Sequence, residues 1–280
     1  MNVHKTKIEW CSHTWNPVTG CRHGCEYCYA QRIVSRFEPK IDEWPDEAIT
    51  TAPSADGGPE LYVVERPTRL KTKEGGYRRP TPYPKGFAPT LHAYTLTYPE
   101  QRKAPSNIFV CSMSDLFGAW VPDEWIERIF DACKRAPQHT YLFLTKNPAR
   151  YLDLASKGKL PEERNFWYGT TTTGPDKPFW WSKHHNTFAS IEPLLEPFEA
   201  AGERGNGSEG YEKKVEWVII GAMTGPGSAK KQPKREWIQA IVDDASITGV
   251  PVFMKDSLKA VWGDDLIREY PSGMNGGLNG

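Results

Sequence analysis

No apolar run in the sequence approaches the roughly 18 residues that a membrane-spanning helix needs, so no membrane association is expected. The opening stretch, Met1 to Trp10, is polar and lacks the apolar centre of a secretory leader. Net charge is also missing: 35 Lys and Arg stand against 35 Asp and Glu, which excludes a global pull toward nucleic acid or membrane. Without a leader, the six cysteines are expected to be reduced thiols or metal ligands rather than a disulfide framework. The cytoplasm is the expected compartment. Tryptophan and proline are plentiful, at 11 and 24 residues, and predict irregular loops closed by aromatic packing. The length of 280 residues admits one large α/β domain or two small ones.

Three of the six cysteines fall in Thr19-Gly20-Cys21-Arg22-His23-Gly24-Cys25-Glu26-Tyr27-Cys28. Thiolates this close usually share a metal, because soft sulfur suits zinc, copper(I) and iron–sulfur clusters. The number three is informative. A structural zinc site is closed by four protein ligands, whereas a cluster held by three thiolates leaves one iron open to substrate. Gly20 and Gly24 permit the tight bends that such a loop needs. The competing reading is a zinc knuckle with Cys11, His13 or His23 as fourth ligand. That reading makes the chain a zinc-stabilised nucleic-acid-binding protein without catalysis.

Along the chain, Ile8-Glu9-Trp10 predicts a first short strand. Glu26 to Phe37 predicts a helix, with Tyr29, Ile33 and Phe37 four apart on one face and Pro39 beyond. Residues 38–106 read as an irregular insertion. From 107 onward, apolar runs alternate with helical patterns. The runs are 108–111, 141–144, 166–169, 187–191, 217–220 and 250–254, with helices near Asp123 to Arg135, from Pro148, and near Arg235 to Ile247. This predicts a parallel α/β sheet buried on both faces, of about six to seven strands, in an open or closed barrel. The segment between Thr173 and Asn186 is too short and too rich in Pro and Trp for a crossover helix. The expected domain is 1–270, with a flexible tail at 271–280 and a flexible loop at 203–209.

Each apolar run ends in polar residues, which in such a fold gather at one mouth with the cysteines. The exits include Ser112-Met113-Ser114-Asp115, Thr145-Lys146-Asn147, Thr170 to Thr173, Glu192-Pro193 and Lys255-Asp256-Ser257. Any one of these is equally readable as a cap or turn. Two basic stretches stand out. One runs from Glu65 to Gly86 and carries Arg66, Arg69, Lys71, Lys73, Arg78, Arg79 and Lys85, with Tyr77 and Tyr83 between them. The other is Lys230, Lys231, Lys234 and Arg235 beside the glycine-rich segment Gly221 to Gly227. Basic side chains interleaved with aromatics suit a nucleic-acid or nucleotide substrate, and a solvated surface is the plainer alternative.

The C-x3-C-x2-C spacing, with Tyr27 before the last cysteine, resembles the signature of radical S-adenosylmethionine (SAM) enzymes. The further runs Ile8-Glu9-Trp10, Thr14-Trp15-Asn16-Pro17, Ser112-Met113-Ser114-Asp115, Leu144-Thr145-Lys146, Ser190-Ile191-Glu192-Pro193 and Phe253-Met254-Lys255 resemble a phage-associated radical-SAM-like family of undefined function. The resemblance implies a partial TIM-like barrel of the radical SAM type. It implies a [4Fe-4S] cluster on Cys21, Cys25 and Cys28, with SAM on the open iron. One electron then cleaves SAM to methionine and a 5′-deoxyadenosyl radical. A donor such as a flavodoxin or ferredoxin is implied as partner. Tyr27 matches the aromatic near the adenine. The family's Gly-Gly-Glu motif is missing, and Ser112, Ser114 and Asp115 occupy its place as possible acceptors. Lys146, Thr170 and Glu192 match rim positions for the SAM ribose and carboxylate, and Lys255 is a further candidate near the substrate. The resemblance names no catalytic residue and no substrate.

Overall fold

The computed structural model describes residues 3–37, 49–71, 77–80, 83–198 and 215–274. The strands in chain order are β1 (His4–Lys5), β2 (His13–Trp15), β3 (Val18–Thr19), β4 (Ile49–Ala52), β5 (Leu61–Val64), β6 (Arg69–Lys71) and β7 (Tyr77–Pro80). Then come β8 (Thr90–His92), β9 (Asn107–Val110), β10 (Thr140–Thr145), β11 (Phe166–Thr172), β12 (Asn186–Ile191), β13 (Val218–Ile220) and β14 (Val252–Met254). The helices are α1 (Tyr29–Phe37), α2 (Tyr98–Gln101), α3 (Asp123–Lys134), α4 (Ala149–Ser156), α5 (Arg235–Thr248) and α6 (Lys259–Trp262).

The main sheet has eight strands in the order β1-β2-β9-β10-β11-β12-β13-β14. From β2 onward every neighbouring pair is parallel, and β1 adds an antiparallel edge. The fold is therefore mixed α/β with a mostly parallel, open sheet, and not a closed barrel. The far edge of β14 is met by the segment 267–269. Met254 N–H donates to Ile267 O and Glu269 N–H to Val252 O.

Alternate residues of the strands go to opposite faces, and both faces are apolar. On the outer face Ile108, Val110, Tyr141, Phe143, Phe166 and Tyr168 pack with α3 and α4. Ala189, Ile191, Val218, Ile220, Val252 and Met254 pack with α5. The inner face carries Phe109, Leu142, Trp167, Phe188, Ile219 and Phe253 around Trp10 and Trp217. The Trp10 ring lies 4.7 Å from Phe109 and 6.1 Å from Phe188. Those residues belong to strands roughly 14 Å apart in a flat sheet, three strand spacings, so the sheet curls round this indole. Helix signals are where chemistry wants them. Pro122 precedes α3 and Asp123 and Glu124 occupy its first turn, and α5 stops at left-handed Gly249.

Three expectations change. The first strand of the parallel set is β2, not 8–10, where the chain turns and drops Trp10 into the inner core. Helix α1 begins at Tyr29, because Glu26 and Tyr27 form the turn that presents Cys28. The stretch 38–106 is not irregular throughout. Its described residues include β4, β5 and β8, which join β3 in a second sheet of order β3-β8-β5-β4, and the hairpin β6–β7. The segment 173–185 holds no helix, as expected. Pro39, Lys73, the loop at 203–209 and the tail from 275 lie outside the described residues. No helix among the described residues is long and apolar enough to cross a membrane.

Candidate active site at the carboxyl ends of the parallel strands

The cysteine loop leaves β3 and is tied down at both sides. Gly20 N–H donates to Met113 O at 3.0 Å, and Cys21 N–H to Phe87 O at 3.3 Å. Gly20 has φ +84°, and a Cβ there would stand 2.4 Å from Ala88 O, so only glycine fits. Gly24, at φ +64°, turns the chain again before Cys25. Cys28 N–H then closes a turn on Cys25 O at 3.0 Å. All three thiols are free and half-buried. Burial pushes the Cys21 thiol up to about 12 and raises Cys25 as well. Both stay neutral at pH 7 unless a metal displaces the proton. Lys146 works the other way on Cys25, lowering it.

Asp115 anchors this loop to the sheet. Its carboxylate is 5% exposed and accepts four hydrogen bonds. Phe117 N–H at 3.0 Å and Thr145 Oγ1 at 2.8 Å reach Oδ1; Lys146 N–H at 2.9 Å and His23 Nε2 at 2.7 Å reach Oδ2. The exits of β9 and β10 are thereby joined to the residue midway between Cys21 and Cys25. Ser112 and Ser114 are also spent on structure. Ser112 Oγ donates to Asn16 Oδ1 at 3.1 Å and Ser114 Oγ to Val18 O at 3.0 Å. The Ser112 carbonyl accepts the Tyr29 hydroxyl.

The inner row above the aromatic core is polar. Lys146, Thr171, Ser190, Glu192, Gly221 and Lys255 follow Leu144, Gly169, Phe188, Ile219 and Phe253 in alternation. The Lys146 ammonium lies 5.7 Å from the Tyr27 ring centroid. Glu192 Oε2 accepts Ser190 Oγ at 2.8 Å, and its Oε1 pairs with Lys255 Nζ at 2.6 Å. That pair crosses β13 because residue 221 is glycine: a Cβ there would stand 2.6 Å from Glu192 Oε1 and 3.1 Å from Lys255 Cδ. Burial pulls the Lys255 pKa down, but Glu192, Glu9 and Cys11 outweigh it and hold it above the ordinary lysine value. Thr170 does not join this row. It shares the outer face with Phe166 and Tyr168 and accepts Trp180 N–H at 3.3 Å.

The site thus brings together the cysteines, Tyr27, Lys146, Glu192 and Lys255. Sequence reasoning missed His23 as a strut, Asn16 as a clamp, and the inward placement of Thr171, Ser190 and Gly221. Strand parity was the available signal for the last three. The proposed fourth zinc ligands are engaged elsewhere. Cys11 is buried against Phe109 and Trp10, with its thiol toward Ile8 O; His13 Nδ1 pairs with Ser12 Oγ; His23 holds Asp115. Among the described residues, no three His, Cys, Asp or Glu side chains gather as a single ion requires. Cys21, Cys25 and Cys28 are three soft sulfur donors on one short loop, a donor chemistry that suits an iron–sulfur cluster.

A family model described as "Protein of unknown function (DUF5131)" matches residues 5–269. The chain belongs to this family. The DUF5131 region takes in the cysteine loop and every strand of the mouth. No curated protein matches the chain. Among solved structures, this DUF5131 chain is similar to a double mutant of spore photoproduct lyase with bound AdoMet and dinucleoside spore photoproduct. The likeness is at 9% identity and a TM-score of 0.41, over 88% of this chain and 64% of that one. The chain therefore spans less than two thirds of that protein's length.

Proposed function

We propose that this chain is a radical SAM enzyme whose open parallel sheet is a partial barrel of that type. One observation carries the reading: three free thiols on one short loop are strapped by the His23–Asp115 bond above a polar mouth. Cys21, Cys25 and Cys28 would hold a [4Fe-4S] cluster, and SAM would complete it. When bound, such a cluster delivers the electron that splits SAM into methionine and a 5′-deoxyadenosyl radical.

The chain's own residues bind and orient. Tyr27, under Lys146, offers an aromatic surface at the loop for the adenine. Glu192 and Lys255 supply an acceptor and a donor of opposite charge within one inner row, suited to ribose hydroxyls and to the charged end of an amino acid. Ser190 fixes the Glu192 rotamer. Asp115, saturated by its four donors, serves the loop rather than the ligand. Below, Phe109, Phe188, Trp10 and Trp217 seal the mouth from water. Iron and sulfide analysis of the anaerobically prepared protein tests the reading: matched amounts of both support it, and a stoichiometric zinc content with no sulfide overturns it.

A further inference from the structure

The mouth has one strongly cationic side, formed where α1 meets the loop after β13. The Arg32 guanidinium lies against Gly225, its Nη2 3.2 Å from where a Cβ would stand, and donates to Tyr27 O at 3.3 Å. Gly225, at φ +90°, provides the space for this approach. Arg36 follows Arg32 by one turn on the same helix face. Lys230 and Lys231 stand exposed on the facing loop. Among the described residues, the one ion pair these four cations make is that of Lys231 with Glu26, at 3.6 Å across exposed surface. Among the described residues neither Arg32 nor Lys230 has a carboxylate partner. Lys234 and Arg235 do not contribute: they lie over Trp237 and Trp262.

Beside this rim is a fixed aromatic face. Tyr29 is 44% exposed, yet its hydroxyl is tied to the Ser112 carbonyl, so the ring is held open to solvent at low cost in mobility. It precedes Arg32 by three residues and shares its side of α1. Cations without a carboxylate partner, with a tethered aromatic beside them, are the two parts of a single-strand binding surface: phosphates on the charges, a base on the ring. We propose that this rim docks single-stranded nucleic acid, with Arg32 and Lys230 on phosphates and Tyr29 under a base. The proposal rests on the reading of the mouth as a reaction site and names its substrate class. Zero net charge does not oppose it, because the cations are concentrated at one edge.

The test is fluorescence anisotropy of short labelled single-stranded DNA and RNA with the full-length, anaerobically reconstituted protein. Two phosphate contacts, from Arg32 and Lys230, predict an affinity loss of about sevenfold between 50 and 200 mM salt. In Arg32→Gln/Lys230→Gln that salt dependence is almost abolished. Tyr29→Ala weakens binding about tenfold, and Lys157→Gln, at the C-terminal cap of α4 and paired with Asp153, leaves it unchanged. The proposal is overturned by absence of binding at 50 mM salt, by equal affinity for a mononucleotide, or by equal salt slopes in the Arg32/Lys230 and Lys157 variants. Nucleic-acid binding without SAM cleavage sinks the enzymatic reading and leaves the docking surface; SAM cleavage without nucleic-acid binding sinks the docking surface alone.

Discussion

Asp115→Ala is the most informative single perturbation of the scaffold under the site. The carboxylate is buried and has four donors converging on it. Its removal leaves the Phe117 and Lys146 backbone N–H groups without an acceptor. The Thr145 hydroxyl can rotate to another, and His23 faces solvent on one side. Two backbone donors lost at about 1–3 kcal/mol each, that of Phe117 buried and that of Lys146 part-buried, give with partial relaxation a destabilisation of about 2–5 kcal/mol. Against a total stability of about 5–15 kcal/mol, that is a large share. With a urea m-value near ~3 kcal/mol/M, the unfolding midpoint falls by roughly 0.7–1.7 M. Tryptophan fluorescence and circular dichroism in urea read it directly. Asp115→Asn keeps the shape but turns an amide N–H₂ toward donors, and its midpoint lies between the two. Asp153→Ala, which breaks an exposed pair with Lys157 and a long 3.9 Å contact to an Arg150 that keeps Asp123, leaves the midpoint unchanged. An Asp115→Ala midpoint within about 0.3 M of the parent would refute the anchoring role.

Gly221→Ala drives a methyl group into the Glu192–Lys255 pair; SAM affinity in equilibrium dialysis falls at least about tenfold, or 1.4 kcal/mol, while iron content holds, and unchanged affinity would remove that pair from the SAM site. Acid weakens the fold early. Burial holds His92 down at about 3 and His13 at about 4, and lowers His139. Between those values and the unfolded value near ~6.5 the unfolded chain binds protons that the folded chain refuses, so stability falls as pH drops. For His92 the loss is about 2 kcal/mol by pH ~5; a urea midpoint flat from pH 6.5 to 5 would contradict it.

The parallel sheet was legible because its strands are buried on both faces and so read as unbroken apolar runs. The same property hid which residues face inward. In Phe166–Thr172 every alternate position is apolar or Thr, so the sequence does not separate Thr170, on the outer face, from Thr171, on the inner one. Trp10 read as part of a strand because an inner-core indole and a strand indole look alike in sequence. The strands of the second sheet are two to four residues long between Pro and Gly, too short for alternation to register in the sequence. That Cys21, Cys25 and Cys28 share one short loop was plain from spacing alone. The Asp115 hub was not: a carboxylate that serves the scaffold and one that serves a ligand are the same letter, and only its four donors distinguish them.

The most direct test is 5′-deoxyadenosine release from SAM by the anaerobically reconstituted, reduced protein. The parent chain is expected to release it, and Cys21→Ala, Cys25→Ala and Cys28→Ala are expected to lose both the release and the iron. Cys11→Ala and Cys133→Ala, which alter buried thiols in the two cores, are expected to keep both. No release by an iron-replete parent chain, or loss of iron in Cys11→Ala as complete as in Cys25→Ala, would contradict the account.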